Sequence, residues 1–239
     1  MKIVYYPVLP STSQTARVAA IEGAPHLYTV AAERQTAGKG QSDRRFFSPR
    51  GGLYFSTVLR TRLAPAQYGA ITPYAAVAVF RALSRVCGVT AKIKWVNDLL
   101  LDGKKICGIL AESGVDRTGE PLVILGIGIN TGTAEFPAEL REIAGRVPCA
   151  DRDALLSAVL NELSGVDAAV ESADWLAEYR AASCVLSREV EIVTGAQRRR
   201  ASALDILPNG ALLVRNEDGA EEELHGAEIS LRVTQDPKK

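Results

Sequence analysis

Between residues 33 and 52 the stretch ERQTAGKGQSDRRFFSPRGG interleaves Lys39, Arg44, Arg45 and Arg50 with Gly38, Gly40, Gly51 and Gly52. Glycines let a backbone bend close to a ligand while the cations converge on it, so the stretch reads as an anion-handling loop; a solvated basic turn is the alternative. Three further features offer related chemistry. KWVND, Lys94 to Asp98, puts an amide and a carboxylate at a strand exit. There Asp98, helped by Asn97, offers hard oxygen ligands to Mg²⁺ or closes an Asx-type turn. Lys105 follows the Asp102-Gly103 turn and enters the apolar run ICGIL, which sets its ammonium at the edge of a buried pocket to neutralise a carboxylate or phosphate; hairpin-tip solubility is the plainer use, and serves Lys104 equally. GIGIN, Gly126 to Asn130, spaces its glycines by two, clearing one strand face for a flat ligand or for close packing of a helix. It is not a dinucleotide fingerprint, and residues 38–45 are not a P-loop.

The elements that must hold these groups come next. At 239 residues, 47% hydrophobic and 23% charged, the chain supports one sizeable core and a small second unit. Lys plus Arg and Asp plus Glu both number 28, so anion recognition has to be local and non-specific nucleic-acid binding is disfavoured. His26 and His225 are the only histidines, too few for a His-rich zinc site or a serine-type triad. Cys87, Cys107, Cys149 and Cys184 form no CxxC pair and read as reduced thiols of a cytoplasmic protein. The start MKIVYYPVLP reads as a strand rather than a signal peptide, and no run is expected to reach membrane-span length.

Residues 3–8 read as a strand, followed by a helix capped by Ser11 or Thr12 with Val18, Ala19 and Ile21 on its apolar face. A strand at about 27–33 and LYFSTVL after Gly52 hold the cationic loop between them. Thr72 as N-cap and Pro73 at N1 open a buried helix that Gly88 ends. AKIKW alternates as a strand, Asp102-Gly103 makes a type I′ hairpin, and PLVILGIGIN is a doubly covered strand. Pro137 opens a short helix to about Ala144, and Asp151 caps a longer one from Arg152 to about Glu171, with Leu155, Leu156, Val159, Leu160 and Leu163 on one face. Trp175, Leu176 and Tyr179 extend helix to Arg180. Beyond Ser183 short strands and turns predict a small barrel of about fifty-five residues, marginal alone and stabilised by docking on the main unit.

Taken in order, STS, AERQTAGKGQSDRRFFSP, GGLYFS, KWVNDLLLDGKKICGIL, VILGIGIN and GAEISLR resemble the biotin protein ligases over nearly the whole chain. The resemblance implies an α+β fold, a mixed sheet with helices like that of class II aminoacyl-tRNA synthetases, over 1–183, followed by an SH3-like β-barrel over 184–239. It implies ATP, biotin and Mg²⁺, a biotinyl-5′-AMP intermediate, and transfer to a lysine of the biotin carboxyl carrier domain of acetyl-CoA carboxylase or another biotin-dependent enzyme. Ser11, Thr12, Ser13 and Gln35 match biotin-binding positions, as do Lys39, Gly40 and Gln41 of the closing loop, Lys105 and Gly108. Lys105, Lys39 and Arg44 match charge-neutralising catalytic positions; Arg44, Phe46, Asn130 and Arg232 match nucleotide positions; Asp98 matches the metal carboxylate. The family's GRGRxGRxW reads GKGQSDRRF here, so Lys39, Gln41 and Asp43 replace two arginines and a glycine, and weaker retention of the adenylate is expected. Val96 stands for the proline of KWPND. Lipoate or octanoate ligases and transferases share the fold, and a non-catalytic biotin-binding regulator is a third reading. No DNA-reading segment or membrane contact is expected, and family members occur as monomers or homodimers.

Overall fold

The computed structural model describes residues 1–41, 44–132 and 135–226, with the backbone of 230–233. Seven strands form one mixed sheet in the order β1-β2-β3-β7-β6-β5-β4: β1 Lys2–Tyr6, β2 Tyr28–Ala32, β3 Leu53–Leu59, β4 Lys92–Lys94, β5 Asp98–Leu101, β6 Lys104–Val115 and β7 Pro121–Ile129. β1 and β2 run parallel, joined by helix α1 Thr12–Ile21, and the other neighbours are antiparallel. Asp102 and Gly103 take φ of 50° and 77° between β5 and β6, the two left-handed residues a type I′ turn requires.

Strand alternation divides the core. Phe55, Leu59, Leu125 and Ile127 point to one face, under α2 Ile71–Cys87 and the helices α3 Arg152–Leu163, α4 Val166–Ser172 and α5 Trp175–Ala182. Val58, Leu122 and Ile124 point to the other, against Ala16 and Ala20 of α1. α1 buries Thr12, Ser13, Ala16 and Ala20, whereas Val18 is 62% and Ile21 36% exposed. The expected apolar face was therefore rotated: small residues let the helix approach the sheet closely, and the bulkier ones are left outside.

Other boundaries moved for local reasons. A 3₁₀ turn, Pro65–Ala70, runs straight into α2, so the helix begins at Ile71 rather than being capped by Thr72, while Gly88 ends it at φ 67° as expected. Residues 65–87 have the length and hydropathy of a membrane span, contrary to expectation, and they form the buried central helix of this core. Asp151 accepts from Ala154 N and opens α3, but Gly165 interrupts the predicted long helix, and the 137–144 segment keeps only a 3₁₀ turn, Ala138–Leu140.

A second, antiparallel sheet, in the order β11-β10-β9-β8-β12, comprises β8 Glu189–Thr194, β9 Gln197–Ile206, β10 Leu212–Asn216, β11 Glu221–Leu224 and β12 Ser230–Val233. It docks through specific contacts. Trp95 Nε1 donates to Gly210 O at 3.0 Å, Arg180 makes a two-pronged pair with Asp205 and donates to Ile206 O, and Cys184 N donates to Ile93 O.

Candidate active site

α1 covers only one end of its sheet face. Beyond its first turn the face is cleared by Gly126, Gly128 and Gly108, which lie side by side because Gly108 pairs with Gly128 and Ser56 with Gly126. A Cβ on Gly128 would lie 2.5 Å from the Phe46 ring, one on Gly126 2.7 Å from Ser13 Oγ, and one on Gly108 3.1 Å from Lys105 Nζ. The glycines thus face the candidate site and not helix α2, which resolves the choice that GIGIN left open. Above them lies a cavity of about 520 Å³, within the range of small-ligand sites.

Its wall is the cationic segment, which is more ordered in pattern than a glycine lid. Lys39 bridges Arg45, Gly40 N donates to Arg44 O, and Phe46 N donates to Gly38 O, so residues 38–40 pair antiparallel with 44–46. Asp43 lies outside the described residues. Phe46 packs edge-on to Tyr54, ring centroids 6.3 Å apart, and lies under the Lys105 ammonium at 5.8 Å. Burial pushes the Tyr54 phenol well above its ordinary pKa, so it stays neutral at the edge of the site.

The inner end is a buried polar chain. Thr12 N donates to Gln35 Oε1 at 2.8 Å and Thr12 Oγ1 to the same oxygen at 3.1 Å. Thr12 Oγ1 and Ser13 Oγ lie 2.8 and 2.9 Å from Ser56 Oγ, and Gln35 Nε2 donates to Ser48 Oγ at 2.9 Å. Ser56 and Ser48 had not been named from the sequence; the one signal for Ser56 was a hydroxyl inside an otherwise apolar run. Ser11 is buried at the N-cap position of α1, with no cap bond from its side chain, and is not among the cavity walls.

Two strand residues further along, roughly 7 Å at the usual rise, the site turns cationic. Lys39, Arg44, Arg45, Lys94 and Lys105 line it, against Asp98 and Glu142 among the described walls. Asp98 Oδ1 is 2.6 Å from Lys105 Nζ, and Asn97 Nδ2 donates to Ile109 O. Lys105 thus pairs with one Asp98 oxygen and Ile109 O orients the Asn97 amide, and no group of three His, Cys, Asp or Glu that could hold a metal by itself occurs among the described residues. Asn130 is 8% exposed, and its Nδ2 donates to Lys105 O and Gly145 O, leaving Oδ1 as its only remaining polar atom. It pins residues 143–145 beside β6, and that segment, with Phe136 and Leu140, closes the outer wall; nothing in FPAEL had marked it as site. The Arg232 side chain lies outside the described residues.

Residues 5–130 match the Biotin/lipoate A/B protein ligase family. Among known proteins, the chain is 39% identical over 145 residues to the bifunctional ligase/repressor BirA of Bacillus subtilis, covering 59% of this chain and 45% of that one. It is 31% identical over 194 residues to a biotin–[acetyl-CoA-carboxylase] ligase of Mycobacterium tuberculosis, 76% of this chain and 70% of that one. The chain thus spans about half the length of the curated relatives it matches first. Among solved structures it superposes on a biotin protein ligase from Aquifex aeolicus, in complex with biotin and ATP, with TM-score 0.82 and 25% identity over 98% of this chain and 99% of that one.

Proposed function

The chain belongs to the biotin/lipoate A/B protein ligase family, and on that premise we propose that it is a biotin protein ligase using ATP to join biotin to a lysine of a carboxyl-carrier domain. The observation that carries this reading is a single cavity with a buried hydroxyl–amide end and, one glycine pair away, a cluster of cations. The polar end, Thr12, Ser13 and Gln35 with Ser56, suits the neutral ureido ring. The valeryl chain then runs over the bare glycine face toward Lys105.

In the first step a biotin carboxylate oxygen attacks the α-phosphorus of ATP; the new P–O bond replaces the bond to pyrophosphate, giving biotinyl-5′-AMP. Two anions must meet, and like unit charges 4 Å apart repel by about 4 kcal/mol at an effective dielectric of ~20. Lys105, Lys39 and Arg44 supply the opposing charge. Lys105 leaves Asp98 for the incoming anions, so the ion pair holds the ammonium ready beside the reacting centre. Phe46 forms the flat wall for adenine, and Asn130 offers only its Oδ1 as an acceptor. In the second step the neutral amine of the carrier lysine attacks the acyl carbon, an amide forms, AMP leaves and the amine loses its proton. Once Lys105 turns to the anions, Asp98 is the carboxylate that would hold the Mg²⁺ of MgATP, where the ion would offset phosphate charge.

The C-terminal sheet, from about residue 184, is read as the SH3-like barrel that brings Arg232 toward the nucleotide. The carrier is that of acetyl-CoA carboxylase or another biotin-dependent enzyme, and four unpaired cysteines support a cytoplasmic setting. Biotin-dependent ATP–pyrophosphate exchange, run with lipoate as competitor, tests the proposal. Exchange driven by biotin is expected; exchange preferring lipoate would mean an acyl ligase of another specificity, and binding without exchange a regulatory protein.

A further inference from the structure

Simple donor counting fixes the direction of every hydrogen bond at the polar end of the cavity. Thr12 N–H can only donate, and it lies 2.8 Å from the Gln35 side chain, so the amide oxygen faces Thr12 and Nε2 faces Ser48. That oxygen can only accept, so the single Thr12 Oγ1 proton is committed to it at 3.1 Å. In the 2.8 Å contact between Thr12 and Ser56, Ser56 must therefore donate. Its own proton is then used, and the 2.9 Å contact with Ser13 must be made by the Ser13 proton.

We propose that Ser56 is a positioning residue that orients this relay, so that Ser13 presents lone pairs to the cavity and the site selects a ring bearing N–H donors. The proposal rests on the ligase reading and specifies how the ligand is chosen. Three observations support it. Ser56, Thr12 and Ser13 are 0, 3 and 7% exposed, so bulk water does not compete for their protons. Ser56 stands opposite Gly126 in register, and Ser13 Oγ occupies space 2.7 Å from where a Cβ at 126 would be, so no side chain of β7 blocks the hydroxyls. Gln35 Nε2 keeps a second proton beyond Ser48, available to a carbonyl. A cyclic urea supplies both complements, N–H donors for Ser13 and a C=O for Gln35. A dithiolane or alkyl chain supplies neither and would leave buried polar atoms unpaired.

Ser56→Ala releases both hydroxyls to reorient. In the exchange assay we expect the KM for biotin to rise ~10-fold or more, the effect of one buried hydrogen bond. The KM for ATP should be unchanged, and the preference for biotin over an N-methylated biotin should fall in parallel. Because Ser56 acts through Ser13, the Ser13→Ala/Ser56→Ala protein should lose no more than the worse single variant. If thermal melting shows that Ser56→Ala does not fold, Ser13→Ala carries the same test, since it removes the acceptor itself and should erase the same discrimination. An unchanged KM for biotin, additive losses, or undiminished discrimination would overturn the role of Ser56 while leaving the ligase standing. A parent protein with no biotin-driven exchange would overturn both.

Discussion

Gly128 shows how a residue with no side chain defines this site. A Cβ there would meet three atoms of the Phe46 ring at 2.5 to 3.1 Å, so alanine must push the ring aside. Phe46 is half-buried on the cavity wall and not in the core, so the fold should tolerate the change. The expected outcome of Gly128→Ala is an almost unchanged melting temperature with a KM for ATP raised ~10-fold, about the 1–3 kcal/mol that overpacking typically costs. Steady-state kinetics with ATP varied would check it, and an unmoved ATP constant would remove Phe46 from the nucleotide wall. Lys105 follows the same principle. Its side chain crosses the open space at Gly108 to reach Asp98, a path that a β-carbon at 108 would narrow.

At the scale of elements, the β6–β7 turn is tied to the rest of the sheet by one carboxylate. Asp116 accepts from Thr118 Oγ1 and N, from Arg60 Nη1 at 2.7 Å and from Glu120 N. The Thr118 hydroxyl, then Arg60, hold its pKa far below the ordinary 3.8. A carboxyl whose folded pKa is depressed adds stability that is fully present above the unfolded value and is lost as pH falls toward the folded one. Acid titration of the melting temperature below about pH 4 should therefore show a steep loss in the parent and a shallower one in Asp116→Asn. Parallel curves would show that the turn is not an acid-sensitive tie. Arg60 also donates to Ala20 O and Ala24 O, so the same tie fixes the end of α1, whose other end forms the polar pocket.

Across the whole molecule, the two sheets meet at the segment that leads into the site. Trp95 precedes Val96, Asn97 and Asp98, and its indole N–H is satisfied by Gly210 O in the turn between β9 and β10. Val96 fills the space a side chain on Gly226 would take, with Cγ1 2.6 Å from that Cβ position, and Gly69 and Gly210 approach backbone to backbone. Trp95→Phe keeps most of the apolar surface but leaves a buried carbonyl unpaired, an expected loss of about 1–3 kcal/mol. Denaturant melts should record that loss, together with weaker Lys105-dependent catalysis, because Asp98 lies three residues on. A destabilised protein with normal kcat would mean that the docking of the second sheet is independent of the site.

Patterns local in the chain were legible from sequence: the Asp102-Gly103 hairpin, the Gly88 helix stop, the Asp151 cap and the paired glycines of GIGIN each follow from the φ, capping or alternation of a few neighbouring residues. The ordered motifs also placed the chain in its family. Other features depended on residues far apart. α1 buries Ala16 and Ala20 rather than Val18 and Ile21 because its distance from the sheet, and not residue hydrophobicity, chose the face. Lys105 meets Asp98 through strand pairing across a hairpin, and Ser56 meets Thr12 and Ser13 across 44 and 43 residues of chain. Hydroxyl direction is decided there by a backbone N–H and an amide 23 residues apart. Sequence thus named groups on both sides of the cavity, Thr12, Ser13, Gln35, Lys39 and Lys105 among them; only tertiary structure added Ser56 and the 136–144 wall and decided which groups share protons and charge, since those interactions act over ~3 Å in space with no regard to separation along the chain.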